Sequence, residues 1–204
     1  MNKIDLNTWK RTKMYRFMEN VDFPFYSVTV PVDVTNVKKV SKEKNISFYM
    51  AMTWVVTKAV NSIENFRIRY RNGELYLLDI THPSYTYLKG EDFIIVNGNM
   101  QDDVVKFCND SIEVAEKQTE IINNEIEPDD LIYISCLPWF DFTHLTNERN
   151  FDKYDNIPRI AWSKYTEENG RLMLHVSFDV NHLFIDGYHL GLLVEKINEL
   201  IKEL

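Results

Sequence analysis

Two hydrophobic periods that exclude one another meet near the C-terminus, and their junction constrains the fold more than any other stretch. Leu172, Leu174, Val176, Phe178 and Val180 occupy alternate positions in a run rich in β-formers, the pattern of a strand with one face on a core. Beyond the junction, Leu190, Leu193, Val194, Ile197, Leu200, Ile201 and Leu204 recur at helical spacing against Glu195, Lys196, Glu199, Lys202 and Glu203, an amphipathic helix. A strand must therefore become a helix within His182-Leu183-Phe184-Ile185-Asp186-Gly187. Continuing the alternation puts His182 on the apolar face, at least partly buried, and Gly187 supplies backbone freedom for a tight corner. An imidazole fixed four residues before a carboxylate suits acid/base chemistry. A lone histidine on an apolar strand face is also an ordinary core residue, so other segments must decide.

Upstream, the pattern predicts a helix over 7–19 with Asn7 or Thr8 near its cap, a strand over 25–33 and a short charged helix over 37–44. Ser47 is expected to cap a helix over 48–63 that is apolar nearly all round and so lies between layers. Asn72-Gly73 between Phe66–Tyr70 and Glu74–Leu78 is the strongest hairpin signal. Further strands are expected at 84–88, 93–96, 131–137, 158–165 and 171–181, the last two joined through Glu168-Asn169-Gly170, with a helix over about 101–125. With no repeats and no Pro/Gly-rich linker, the reading is one α/β domain over 1–204, a single mixed sheet with helices against it.

At 204 residues and 45% hydrophobic, the chain can bury a proper core. Its 23 basic and 31 acidic residues give a net charge of -8, which argues against a nucleic-acid or anionic-membrane binder. Cys108 and Cys136 have no C-x-x-C spacing, and Met1-Asn2-Lys3-Ile4-Asp5 begins no apolar leader, so a cytoplasmic protein with free thiols is expected. No apolar run reaches the length of a membrane span. Dinucleotide, P-loop and G-x-S-x-G signatures are missing, and the five histidines (His82, His144, His175, His182, His189) make no metal site by spacing.

Four blocks in order carry a family resemblance: Trp9-Lys10-Arg11; Phe66-Arg67-Ile68 through Asn72-Gly73-Glu74-Leu75 to His82-Pro83-Ser84-Tyr85-Thr86; Ile134-Ser135-Cys136-Leu137-Pro138-Trp139-Phe140-Asp141-Phe142; and the terminal H-x-x-x-D-G. Together they resemble chloramphenicol acetyltransferases over nearly the whole chain. The resemblance implies a two-layer α/β sandwich with a mixed β-sheet, assembled as a homotrimer with active sites between subunits. It implies acetyl-coenzyme A as co-substrate with no permanently bound cofactor or metal, and a small-molecule acceptor whose hydroxyl attacks the thioester directly. It casts His182 as the general base, a role that an unperturbed pKa of about 6.5 suits. It pairs Asp186 with Arg11 as structural support of the site.

The chain departs from that pattern at two positions and in one stretch. Where the family carries the serine that stabilises the oxyanion stands His144, whose N–H can donate the same bond, with Thr143 beside it. Ala161 stands where the family commonly carries a water-binding threonine, and Leu88-Lys89-Gly90-Glu91-Asp92 replaces a more aromatic run. Lys38, Lys39, Lys42, Lys44, Lys58 and Lys164 are candidates for the coenzyme A phosphates, with Lys164 and Tyr165 the expected cofactor-binding pair. Cys136 reads as a small packed residue. The alternative is a non-catalytic trimeric member that binds coenzyme A or another ligand. A third reading, a dihydrolipoamide acyltransferase core, shares the histidine and D-G motif, but these residues include no lipoyl domain or linker.

Overall fold

The computed structural model describes residues 1–123 and 127–204. Its elements run β1 (Asn2–Lys3), α1 (Thr12–Met18), β2 (Phe25–Asp33), α2 (Thr35–Glu43), α3 (Phe48–Asn61), β3 (Ile68–Arg71), β4 (Glu74–Leu77), β5 (His82–Lys89) and β6 (Asp92–Asn97). After these come α4 (Val104–Lys117), β7 (Leu131–Leu137), β8 (Arg159–Ser163), β9 (Thr166–Glu168), β10 (Arg171–Asn181) and α5 (Gly187–Glu203). Six strands form a mixed sheet in the order β2-β10-β8-β7-β5-β6, and β9 adds a seventh against β10. The β8-β7 and β7-β5 pairs are parallel; the others are antiparallel. With helices packed on the sheet, this is the expected two-layer α/β sandwich.

Local chemistry explains the main elements. Asn72 and Gly73 (φ 50° and 86°) and Asn169 and Gly170 (φ 52° and 77°) put two consecutive residues in the left-handed region, as two-residue hairpins of matching twist require. Ser47 Oγ accepts from Met50 N at 3.4 Å and caps α3. Ten of the 14 residues of α3 are buried, because it lies between α4 and α5 and also against β5 and β7. Two of those ten are polar: Thr53 and Thr57 return their hydroxyls to the carbonyls of Tyr49 and Thr53, at 2.9 and 2.7 Å. Burial therefore leaves neither hydroxyl unpaired.

Several expectations are corrected. The strands do not form a single sheet: the Asn72-Gly73 hairpin pairs with Asn2-Lys3 and makes a separate three-stranded sheet, β1-β4-β3. Fully buried Arg69 ties it to the start of β7, donating to the carbonyls of Phe66 (3.0 Å), Ile68 (2.8 Å) and Leu131 (2.7 Å). The first helix begins only at Thr12, since Asp5 draws Asn7, Thr8 and Trp9 into a turn of their own. The helix expected to reach 125 stops at Lys117. Gln118 turns extended there, and its amide donates to the carbonyls of Ile95 (2.8 Å) and Glu120 (2.9 Å); residues 124 and 125 of that expectation lie outside the described residues. The strand expected over 158–165 ends at Ser163, and the Asn169-Gly170 hairpin joins β9, not β8, to β10.

Candidate active site

The strand-to-helix corner is rigid because its apolar residues are sunk in the core. Leu183, Phe184 and Ile185 are fully buried, and Phe184 N and Ile185 N both donate to the Asn181 carbonyl, at 3.1 and 3.0 Å. Asn181 Oδ1 accepts from Leu183 N at 2.9 Å. Asp186, in extended conformation, caps α5: its Oδ1 accepts from Tyr188 N (3.1 Å) and His189 N (3.4 Å), while His189 completes a capping box. Gly187 has no special conformation. It is absent from the glycines of positive φ, a Cβ there would meet nothing within 4 Å, and the extended Asp186 makes the turn that was expected of it.

Arg11 reaches this corner from the start of α1. Its guanidinium donates to the carbonyls of His182 (2.9 Å) and Leu183 (3.3 Å) and forms an ion pair with Asp186. The Arg11 side chain is only 9% exposed, so that carboxylate is its principal charge partner in a poorly solvated place. Burial alone would raise the Asp186 carboxyl, but the hydrogen bond and charge of Arg11 outweigh it and hold the group below the usual carboxylate range.

His182 follows the last residue of β10, half-buried, with its ring 4.9 Å from that of Tyr26. Its pKa is lowered by burial first and the Arg11 guanidinium second, with Asp186 opposing. The imidazole is therefore neutral at neutral pH and able to take a proton. Tyr26 donates its hydroxyl to the Ile185 carbonyl at 3.3 Å, and burial with the nearby Asp186 pushes it up to about 12.

The opposite face of β10 carries a polar ladder that the apolar half of the alternation hid. His175, Ser177, Asp179 and Asn181 alternate with the core residues, and each grips residues 138–158, which contain neither helix nor strand. His175 Nδ1 meets Asp141 Oδ1 at 2.9 Å, and Ser177 Oγ donates to the Leu145 carbonyl at 2.8 Å. Asp179 accepts from Asn147 N (3.1 Å) and Arg149 (2.5 Å), and Asn181 donates to the carbonyls of Lys153 (2.8 Å) and Asp155 (2.9 Å). Arg149 and Asp179 are nearly buried and extend into a cluster with Asp155 and Arg159. The sequence signal was the unbroken series of polar residues between the valines and phenylalanine of this strand.

His144 and Thr143 sit exposed on this strap, between its attachments at Asp141 and Leu145. Within the chain they are not joined to His182. The His182 ring packs at a tilt against Tyr26, whereas the strap hangs from Ser27, the next residue of β2 and hence on the other face of the sheet. Ala161 lies beside Ser177 and Ser135 in register. Of the candidate lysines, Lys38 stands out, with Nζ 5.2 Å from the ring centroid of Tyr165 and 5.7 Å from that of Phe48. Lys164 is exposed next to Tyr165, its backbone N–H bonded to the Phe140 carbonyl at 3.0 Å. Lys58 instead lies over Trp54 and Lys39 pairs with Glu43. Burial raises the Cys136 thiol to about 12, as for a packed cysteine and not a reactive one.

A family model described as chloramphenicol acetyltransferase matches residues 1–200. The chain belongs to that family. It is accordingly an acetyltransferase. The chloramphenicol acetyltransferase of Bacillus pumilus is 30% identical over 205 residues, covering 98% of this chain and 93% of that protein. Chloramphenicol acetyltransferase 3 of Escherichia coli is 28% identical, with 97% and 95% covered. The solved structure of a chloramphenicol acetyltransferase superposes at a TM-score of 0.87 with 23% identity, over 98% of this chain and 100% of the other. The cubic core of the pyruvate dehydrogenase multienzyme complex shares the fold more distantly, with a TM-score of 0.63 and 16% identity over 98% and 91% of the two chains. Among the described residues no helix is long and apolar enough to cross a membrane, and no three His, Cys, Asp or Glu side chains gather around a metal position.

Proposed function

We propose that the 204 residues form one acyltransferase domain of a cytoplasmic homotrimer, transferring acetyl from acetyl-coenzyme A to a hydroxyl of a small, partly apolar acceptor. The observation that carries this reading is the neutral, half-buried His182 on a corner fixed by Arg11 and Asp186. The His182 imidazole takes the acceptor's hydroxyl proton as the oxygen attacks the thioester carbonyl. The resulting oxyanion accepts a hydrogen bond from the His144 imidazole. Collapse expels the coenzyme A thiolate, which recovers the proton from the imidazolium, leaving an acetyl ester and free thiol. No acyl-enzyme intervenes. Lys38, Lys164 and Tyr165 form the coenzyme A contact, because two lysines and a ring there meet the needs of phosphate and adenine.

The placement of His182 and His144 toward opposite faces of one sheet supports a site shared between neighbours, His182 from one protomer and His144 from the next. The test is intersubunit complementation, read as thiol release from acetyl-coenzyme A with hydroxylated acceptors, chloramphenicol included. His182→Ala and His144→Ala are each expected to be depressed by about 10²-fold or more. Co-refolded in equal amounts, they should regain about a quarter of the wild-type activity, since one ordered pair in four then carries both histidines. Two inactive variants whose mixture stays inactive would overturn the shared site, and full activity of His182→Ala would overturn the general base.

A further inference from the structure

We infer that the paired hydroxyls of Ser27 and Ser177 are positioning residues for acetyl transfer: by gripping the Leu145 carbonyl they fix the backbone one residue beyond His144 and so aim its imidazole. The inference rests on the reading of His144 as the oxyanion donor. Ser27 Oγ donates to the Leu145 carbonyl at 2.6 Å and Ser177 Oγ at 2.8 Å, with the two hydroxyls 3.1 Å apart. A hydroxyl has one proton and a carbonyl oxygen two lone pairs, so both protons go to Leu145 and both of its lone pairs are filled. Ser177 is fully buried and comes from β10, while Ser27 comes from β2; the grip therefore joins two strands that are far apart in sequence.

Residues 138–158 make no helix or strand of their own, and a loop of that length in a compact fold is uncommon unless it is functional. Its course must be set from outside. His144 lies between the Asp141–His175 contact, at 2.9 Å, and the bond from Asn147 N to Asp179, at 3.1 Å, with the serine grip one residue away. The ion pairs fasten the strap as a whole. The serines act on the Leu145–Thr146 peptide unit, one residue beyond His144, where a small displacement is passed through Leu145 to the imidazole.

The experiment is a cycle of Ser27→Ala/Ser177→Ala with His144→Ala, reading turnover and the KM for acetyl-coenzyme A. The serine double variant should lose about 10- to 100-fold in kcat, the scale of a misplacement near 1 Å, with KM for acetyl-coenzyme A within about twofold. On the His144→Ala background the same two substitutions should cost no more than about twofold, because what they position is already gone. Ser27→Ala alone, which keeps the buried Ser177 bond, provides a well-folded intermediate case, and Ser27→Thr, which keeps the hydroxyl, should restore turnover. Wild-type kcat in the serine double variant, or an equal loss on the His144→Ala background, overturns the inference. Full activity of His144→Ala with the serines intact is a different result: it removes the oxyanion reading itself and this inference with it.

Discussion

Asp186 has two separable duties, and two substitutions divide them. Asp186→Asn preserves the cap of α5, since asparagine caps about as well as aspartate, but deprives Arg11 of its counter-charge. The Arg11 side chain is 9% exposed and Asp186 27%, and Arg11 keeps its bonds to the His182 and Leu183 carbonyls. The cost therefore belongs at the low end of breaking a buried pair, about 3 kcal/mol. Asp186→Ala also releases the amides of Tyr188 and His189, adding about 1 kcal/mol. Urea unfolding at neutral pH and fixed protomer concentration measures both. Arg11→Met combined with Asp186→Asn should be more stable than Asp186→Asn alone, because no unpaired charge remains. An asparagine variant within about 1 kcal/mol of wild type, or a double variant less stable than the single, would refute the reasoning. Because the folded carboxyl titrates below its unfolded value of about 3.9, its contribution is complete above that pH and disappears as pH falls through the folded pKa.

Three further outcomes follow from the site. With His182 lowered by burial and Arg11, kcat/KM should rise with pH through a midpoint below about 6.5 and level off above it; a midpoint above that value contradicts the assigned environment. If His144 donates to the oxyanion, His144→Ala should lower turnover by about 10²–10³-fold with little change in coenzyme A affinity; if it only crowds the pocket, His144→Ser should instead raise chloramphenicol turnover, which the unsubstituted chain is expected to perform weakly or not at all, and efficient wild-type acetylation of the drug would count against this. Gly187→Ala, at an uncrowded helix start of ordinary φ, should be neutral or stabilising by up to about 1 kcal/mol, and a clear loss of stability would mean that the corner depends on glycine after all.

Local chemistry was legible wherever a residue type has one structural use. Asn72-Gly73, Asn169-Gly170 and the Ser47 cap are such positions, and all three were readable. The all-round apolar sequence of α3 likewise announced its place between layers. Elements that end on tertiary contacts were not legible: α4 stops where the Gln118 amide finds the Ile95 carbonyl on a distant strand, and α1 starts late because Asp5 claims the preceding amides. The Arg11–Asp186 contact spans 175 positions, and only the family resemblance placed the two residues together. The His175-Ser177-Asp179-Asn181 ladder was visible as a pattern but lacked a partner, since its ligands are mostly backbone groups of an irregular segment. Carbonyls and amides leave no trace in a sequence.

The pairing of β2 with β10 also dictates when the molecule can be completed during synthesis. Among the described strands β2 pairs only with β10, so Phe25–Asp33 must wait for Arg171–Asn181, the last of those strands in chain order. At ribosomal rates of about 5–20 residues per second, the intervening stretch of about 140 residues takes about 7 to 30 s. Throughout that interval the nascent chain presents an unpaired Val28-Thr29-Val30-Pro31-Val32 edge, a template for wrong pairing with other chains. Pro31, which cannot donate a ladder hydrogen bond, interrupts it. The pairing of β2 with β10 runs unbroken through Pro31, so the proline guards the unfinished strand without interrupting the finished one.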